Sequence, residues 1–238
     1  MPTYYNKTER SRLRRRAGRG SYRRTTIQEI LDEGMIAHVG ITSDDGQPFV
    51  IPVLYARDGE RVYLHGSALS RLLSRLGEGV PMCLTVTLLD GLVLARSAFH
   101  HSMNYRSVVV LGQAREITDP EHKERALRQI VEHIVPGRSD EARGPNPKEL
   151  KATEVIELTI HEASAKIRTG PPGDAAADMQ LPVWAGEIPL AMTVGEPVTD
   201  EKCSLPVPDY VSGYSREAVV SDGSLVSRNG AHADRNGS

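Results

Sequence analysis

Residues 35–66 read MIAHVGITSDDGQPFVIPVLYARDGERVYLHG: three apolar runs rich in β-branched residues, separated by two Asp-Gly pairs. Asp45-Gly46 and Asp58-Gly59 are tight-turn signals, and the flanking runs 35–42, 48–57 and 61–66 have strand character. Together they predict an antiparallel meander. Upstream, Thr25-Thr26-Ile27-Gln28-Glu29-Ile30-Leu31 resembles a helix start, with Ile27, Ile30 and Leu31 on one face and Gly34 as the stop. Downstream, Leu69, Leu72, Leu73 and Leu76 at helical spacing predict a helix over 67–76, with Ser67 as cap and Gly77 as stop.

Further along, strands are expected at 80–89 and 92–98 around an Asp90-Gly91 turn, and at 105–117 with its apolar patch 108–111. Asp119 caps an amphipathic helix to Val135, a polar loop covers 136–147, and 153–168 reads as one more strand. About six strands with a few short helices at their edges predict a mainly β fold, a small closed antiparallel barrel that leaves no strand edge exposed. Three segments follow: a basic arm over 1–24, one barrel domain over 25–200, and an irregular, disordered tail over 201–238.

The chain of 238 residues is 39% hydrophobic and 25% charged with a net charge of −2, which argues against wholesale disorder and against a polybasic coat. Cys83 and Cys203 lie far apart, so neither a disulfide scaffold nor a zinc site is expected. The absence of a long apolar run or leader points to a cytoplasmic protein without membrane contact. Between Arg10 and Arg24 the chain carries Arg10, Arg12, Arg14, Arg15, Arg16, Arg19, Arg23 and Arg24 and no acid. With Tyr22 as the one interleaved aromatic, the run reads as a solvated or dimer-clasping arm rather than a nucleic-acid reader.

Phosphate-loop, dinucleotide and nucleophile-elbow signatures do not occur, and His161-Glu162 lacks the second histidine of a zinc helix. Two polar clusters stand out instead. In 64–72 (LHGSALSRL) a strand passes through glycine into a helix start, where hydroxyls, free backbone N–H groups and Arg71 suit an anion. A plain serine cap with Arg71 in water fits the spacing equally. In 96–107 (RSAFHHSMNYRS) a dense set of polar side chains between strands suggests a cleft lining.

In this order, and with Arg19-Gly20-Ser21-Tyr22, 47–55 (QPFVIPVLY), 166–172 (KIRTGPP) and 183–190 (VWAGEIPL), the two clusters resemble the pyridoxamine 5′-phosphate oxidase-like flavin-binding split barrels, in particular the nitroimidazole-resistance-type branch. The resemblance implies a six-stranded split barrel that forms a homodimer, with FMN at the subunit interface. It places Ile51, Pro52 and Val53 beside the flavin ring, and Leu64, His65 and Gly66 along the ribityl chain. Ser67, Ser70, Arg71 and Leu72 would seat the phosphate. Arg106 and Ser107 would contact flavin or phosphate, and Trp184 would reach the other subunit's flavin, with Lys166 and Arg168 nearby. The family's vitamin oxidases carry Arg-Lys where this chain has Arg71-Leu72, so vitamin B6 is not the expected substrate.

The expected function is that of an FMN-dependent oxidoreductase acting on a small organic molecule, aromatic or nitro-bearing. His100 and His101 are the proton-transfer candidates because imidazole titrates near neutrality, and Tyr105 could hydrogen-bond substrate. A non-catalytic flavin or haem carrier or sensor, with His65, His100 or His101 as haem ligand, is the alternative. A deazaflavin (F420) reductase on the same barrel is another.

Overall fold

The computed structural model describes residues 2–215 and the backbone of 219–221 and 224–226. The meander forms as expected: β2 (Ile36–Thr42), β3 (Pro48–Asp58) and β4 (Arg61–Ser67) pair antiparallel, with Ile41 opposite Phe49 and Tyr55 opposite Leu64. Gly46 and Gly59 take the left-handed conformation at the two turns (φ 86° and 56°), which explains glycine after each aspartate. The helix α1 (Arg24–Glu33) buries Ile27, Ile30 and Leu31 and ends at Gly34.

β5 (Pro81–Leu94), β6 (Ser102–Glu116), β7 (Thr153–Thr159) and β8 (Glu162–Arg168) complete the sheet, with the two-residue β1 (Gly20–Ser21) and β9 (Gly186–Pro189) at its ends. β2 pairs with β3, β3 with β4, β4 with β7, β7 with β6, β6 with β5, and β5 again with β2. This is a closed ring of six strands. One edge of β6 is shared between β7 at residues 114–116 and β8 at residues 105–111, so the barrel is split along that strand. Its interior is filled by Val39, Leu64, Leu84, Val108, Val110, Ile156 and Leu158, all fully buried. The long helix α3 (Pro120–Ile134) covers Tyr63 and Val155 from outside, and Asp119 caps it by accepting from His122 N.

Four boundaries differ from expectation. Asp90-Gly91 does not turn the chain but forms a bulge inside the continuous β5, because β6 pairs on both sides of it. The run 153–168 is broken into β7, which pairs with β4 and the end of β6, and β8, which pairs with the start of β6 and with β1. The loop 136–147 holds a short helix α4 (Arg138–Glu141), and α5 (Pro147–Ala152) starts on the capping box of Asn146 and Glu149. Ser67 ends β4 rather than capping a helix; the helix α2 (Arg71–Gly77) is capped by Ser70, whose hydroxyl accepts from Leu73 N.

The basic arm is docked. Tyr5 is buried in the main core, Gly20 and Ser21 pair with β8, and Arg10 reaches Glu162 at 2.6 Å. Near the other end, α6 (Asp209–Ser212) and Tyr214 lie on α3 and α4, with Tyr214 donating to the Ile134 carbonyl at 2.7 Å. The rest of the expected disordered tail lies largely outside the described residues. Among the described residues, no helix is long and apolar enough to cross a membrane.

Candidate functional site

A cavity of about 400 Å³ opens at the start of α2. Its floor is the face of β2 and β3 that carries Ile41, Phe49 and Ile51, and register makes these neighbours: Ile41 opposes Phe49, and Ile51 opposes Val39. Its wall is 68–72 with Ser74 and Arg75. The wall approaches closely because Leu73 packs on Gly66, where a Cβ would stand 2.8 Å from Leu73 Cδ1. Arg75 is neutralised by Glu78 at 2.7 Å and Asp44 at 2.5 Å. Arg71 is exposed and has no hydrogen-bond or ion-pair partner among the described residues. The result is an apolar floor faced by serine hydroxyls and one free guanidinium, a combination suited to an aromatic molecule bearing an anion.

Of the residues expected to hold the flavin, Ile51, Ser70, Arg71 and Leu72 line this cavity. Ser67 sits just outside it, its hydroxyl accepting from Leu69 N. Pro52 pairs with His38 and therefore faces the opposite side of the sheet, while Val53 packs on the core. Leu64 is fully buried, and Gly66 is half-buried with Leu73 packed against it. The other lining residues, among them Ile41, Ser43, Phe49, Leu69 and Ser74, were not among the expected site residues; the alternation of Phe49 and Ile51 along β3 was the available signal. His65 is half-buried, its Nδ1 is buried without a hydrogen-bond partner among the described residues, and burial pushes its pKa down.

The remaining candidates gather elsewhere, where β6 begins and β8 ends. Tyr105 pairs with Arg168 and Ser107 with Lys166 across these strands. Arg106 points to the other face and is held by two carboxylates: Glu33 holds Nη1 and Nη2, and Asp90 holds Nε at 3.0 Å and Nη2 at 2.7 Å. It is a structural tie between α1 and the β5 bulge. Arg168 is buried, with Nη1 on the Gly170 carbonyl at 2.7 Å and on Asn104, and Nη2 on the Pro171 carbonyl at 3.0 Å.

Asn104 in turn donates to Glu187 at 2.5 Å. Asp174 accepts from the Arg96 backbone at 2.9 Å and its guanidinium at 2.7 Å. These two ties, unforeseen in the sequence because their partners lie some 80 residues apart, fasten the 170–190 segment to the loop of His100 and His101. His101 Nδ1 lies 2.9 Å from the Ser97 carbonyl, and the Phe99 ring meets His100 edge-on. Trp184 projects from the fastened segment, 66% exposed. None of His100, His101, Tyr105, Lys166, Arg168 and Trp184 lines the α2 cavity within one chain.

The sequence profile of the pyridoxamine 5′-phosphate oxidase family matches residues 23–167. Comparison with curated proteins gave no match. Among solved structures, the flavocytochrome Anf3 from Azotobacter vinelandii is 41% identical with a TM-score of 0.82, over 87% of this chain and 97% of that one. The FAD and haem binding protein from Mycobacterium smegmatis is 35% identical with a TM-score of 0.78, over 82% and 96%. A proposed 5-nitroimidazole antibiotic resistance protein from Bacteroides thetaiotaomicron, 22% identical with a TM-score of 0.52 over 62% and 86%, shares the fold.

Proposed function

The chain belongs to the pyridoxamine 5′-phosphate oxidase-like split-barrel family, and on that premise we propose that it is a flavin-dependent oxidoreductase whose flavin phosphate docks at the start of α2. The observation that carries this reading is Arg71, a guanidinium without a partner among the described residues at the rim of an apolar cavity. Arg71 and the Ser70 and Ser74 hydroxyls would hold the phosphate. Ile41, Phe49, Ile51 and Leu72 would lie against the ring system and keep water from it. Once bound, the flavin supplies hydride and electron transfer to a small organic substrate, aromatic or nitro-bearing.

Proton transfer falls to His100 or His101, with Tyr105 as a hydrogen-bonding partner for substrate. These side chains and Trp184 would meet the cavity of a second copy of the chain, which makes a homodimer part of the proposal. Exposed apolar residues support it: Ile36, Val50, Leu54, Leu89 and Met103 lie open on one side of the sheet.

The test is the absorption spectrum of the purified protein and the mass of the released cofactor, which separates FMN, FAD and deazaflavin. A colourless protein that takes up no flavin refutes the proposal. Arg71→Ala should weaken flavin binding by about 1.5–3 kcal/mol through loss of charged hydrogen bonds to phosphate; unchanged affinity moves the phosphate elsewhere.

A second reading has its own observation. The two most similar structures reported above are a flavocytochrome and an FAD and haem binding protein, and the buried Nδ1 of His65 lacks a hydrogen-bond partner among the described residues. Burial favours the neutral imidazole, the form that ligates iron. A haem held by His65 beside the flavin would make the chain an electron carrier. A Soret band that disappears in His65→Ala while flavin is retained supports it; no haem uptake by the wild type ends it.

A further inference from the structure

The hairpin that joins β2 to β3 carries two aspartates, and only one of them serves the turn. Asp45 accepts from the Ser43 hydroxyl and from Gln47 N at 3.2 Å, while Ser43 N donates to the Gln47 carbonyl at 2.9 Å and closes the hairpin. Asp44 takes no part in this network. Its carboxylate reaches across to α2, where Arg75 Nη2 donates to it at 2.5 Å, and it has no other partner among the described residues. Asp44 and Arg75 both line the α2 cavity, and their side chains are 85% and 32% exposed. The pair therefore spans the open side of the cavity and joins its hairpin rim to its helical wall.

The wall itself repeats. Ser70-Arg71 and Ser74-Arg75 are the same dipeptide one helical turn apart, so Arg75 follows Arg71 on the same side of α2, and all four residues line the cavity. Arg71 is open, whereas Arg75 donates to two carboxylates, Glu78 at 2.7 Å and Asp44. Glu78 lies three residues on and outside the cavity lining, while Asp44 comes from 31 residues away and enters it. A carboxylate set on a guanidinium beside hydroxyls makes the charge-assisted hydrogen bonds that two oxygens of a phosphate would make there. Ion pairs between exposed side chains contribute little, so an anion presented to both arginines outcompetes Asp44.

We propose that Asp44 stands in for a phosphoryl group on Arg75, and that a bound phosphoryl group displaces it and takes Arg75 as its second guanidinium. This rests on the flavin reading and adds to it: Arg75 is a phosphate-binding residue, and Asp44 is a latch that the ligand's charge opens. The consequence is selectivity. A flavin that carries phosphate meets two guanidinium groups and pushes the hairpin carboxylate off. A flavin without phosphate leaves the latch shut and gains nothing from Arg75.

The test is titration of the full-length chain, dialysed free of flavin, with FMN, with FAD and with riboflavin, which has no phosphate, followed by flavin fluorescence. Asp44→Asn should tighten binding of the phosphorylated flavin about two- to fivefold, the size of one exposed ion pair, and leave riboflavin unchanged. Arg75→Gln should weaken it about tenfold through loss of a charged hydrogen bond. In the Arg75→Gln background, Asp44→Asn should then have no effect, a result that a carboxylate acting only through its general field would not give. Each variant is first checked for an unchanged circular dichroism spectrum. The latch alone is overturned if Arg71→Ala still weakens binding while Asp44→Asn changes nothing, acts equally with and without Arg75, or tightens riboflavin as much. If neither FMN nor FAD binds the wild type, the flavin reading falls and the latch with it.

Discussion

Arg106→Met removes the guanidinium that joins α1 to the β5 bulge, and its consequence can be worked out from geometry. Arg106 is 5% exposed and holds two carboxylates, Glu33 and Asp90, whose side chains are 21% and 27% exposed. Breaking a buried ion pair from one side costs about 3–5 kcal/mol, because the surviving charge stays desolvated. Here two negative groups are left facing each other, but water reaches both, so the lower end applies, about 3 kcal/mol. For a domain of this size that lowers the melting temperature by about 6–12 °C. Urea unfolding followed by circular dichroism, with calorimetry in parallel, measures both quantities. Arg106→Lys, which keeps a charge but loses the fork, should fall between wild type and Arg106→Met. A loss below about 1 kcal/mol, in the range of a surface pair, refutes the structural role. If flavin retention drops while stability holds, Arg106 is a cofactor residue after all.

Three other outcomes follow from the same kind of accounting. Gly34→Ala should destabilise by about 1–3 kcal/mol in urea melts, since the new methyl would stand 2.5 Å from Val86 Cγ1 and 2.8 Å from Tyr55 Oη. His65 has its pKa lowered by burial, so the folded chain takes up that proton later than the unfolded one. Its share of stability is whole above about pH 6.5 and is lost as pH falls through the folded value; His65→Gln should flatten that part of a stability–pH curve. Burial alone would raise the Glu162 pKa, but hydrogen bonds from Thr8 and Arg10 outweigh it and hold the carboxylate below its usual range. The arm's attachment is therefore present above about pH 4.3 and lost as pH falls through the folded value. Glu162→Gln at neutral pH should expose residues 10–16 to faster trypsin cleavage while the barrel stays intact; equal cleavage rates would mean that β1 alone holds the arm.

The barrel was legible because its information is local. Two Asp-Gly pairs at fixed spacing, the caps at Asp119 and Gly34, and apolar alternation are properties of neighbouring residues, and each appears where expected. Part of the site was legible for the same reason: a serine, an arginine and a leucine at a helix start lie together in sequence and in space. What failed depended on partners far along the chain. Asp90-Gly91 has turn chemistry, yet pairing with β6 on both sides draws it into a bulge. Ser67 and Ser70 are equally good caps in isolation, and pairing of Ser67 with Thr153 decides for Ser70. Arg106 looks available until Glu33, 73 residues away, is brought to it.

The arginines make this dependence most concrete. Sequence shows a guanidinium but not what neutralises it, and in this fold that distinction separates structure from function. Arg57 on Asp32, Arg96 on Asp174, Arg106 on Glu33 and Asp90, and Arg10 on Glu162 are each closed by a carboxylate and each tie two elements together. Arg71, at the mouth of α2, is exposed and is not closed in this way among the described residues. A folded chain that could have been more stable with a nearby acid instead leaves this charge open, as expected where binding rather than stability governs the residue. The sorting itself is testable by comparing single Arg→Gln variants. Replacing a closed arginine should lower unfolding free energy at any ligand concentration. Replacing Arg71 should leave the ligand-free protein within about 0.5 kcal/mol of wild type and reduce only the stabilisation gained when ligand is added.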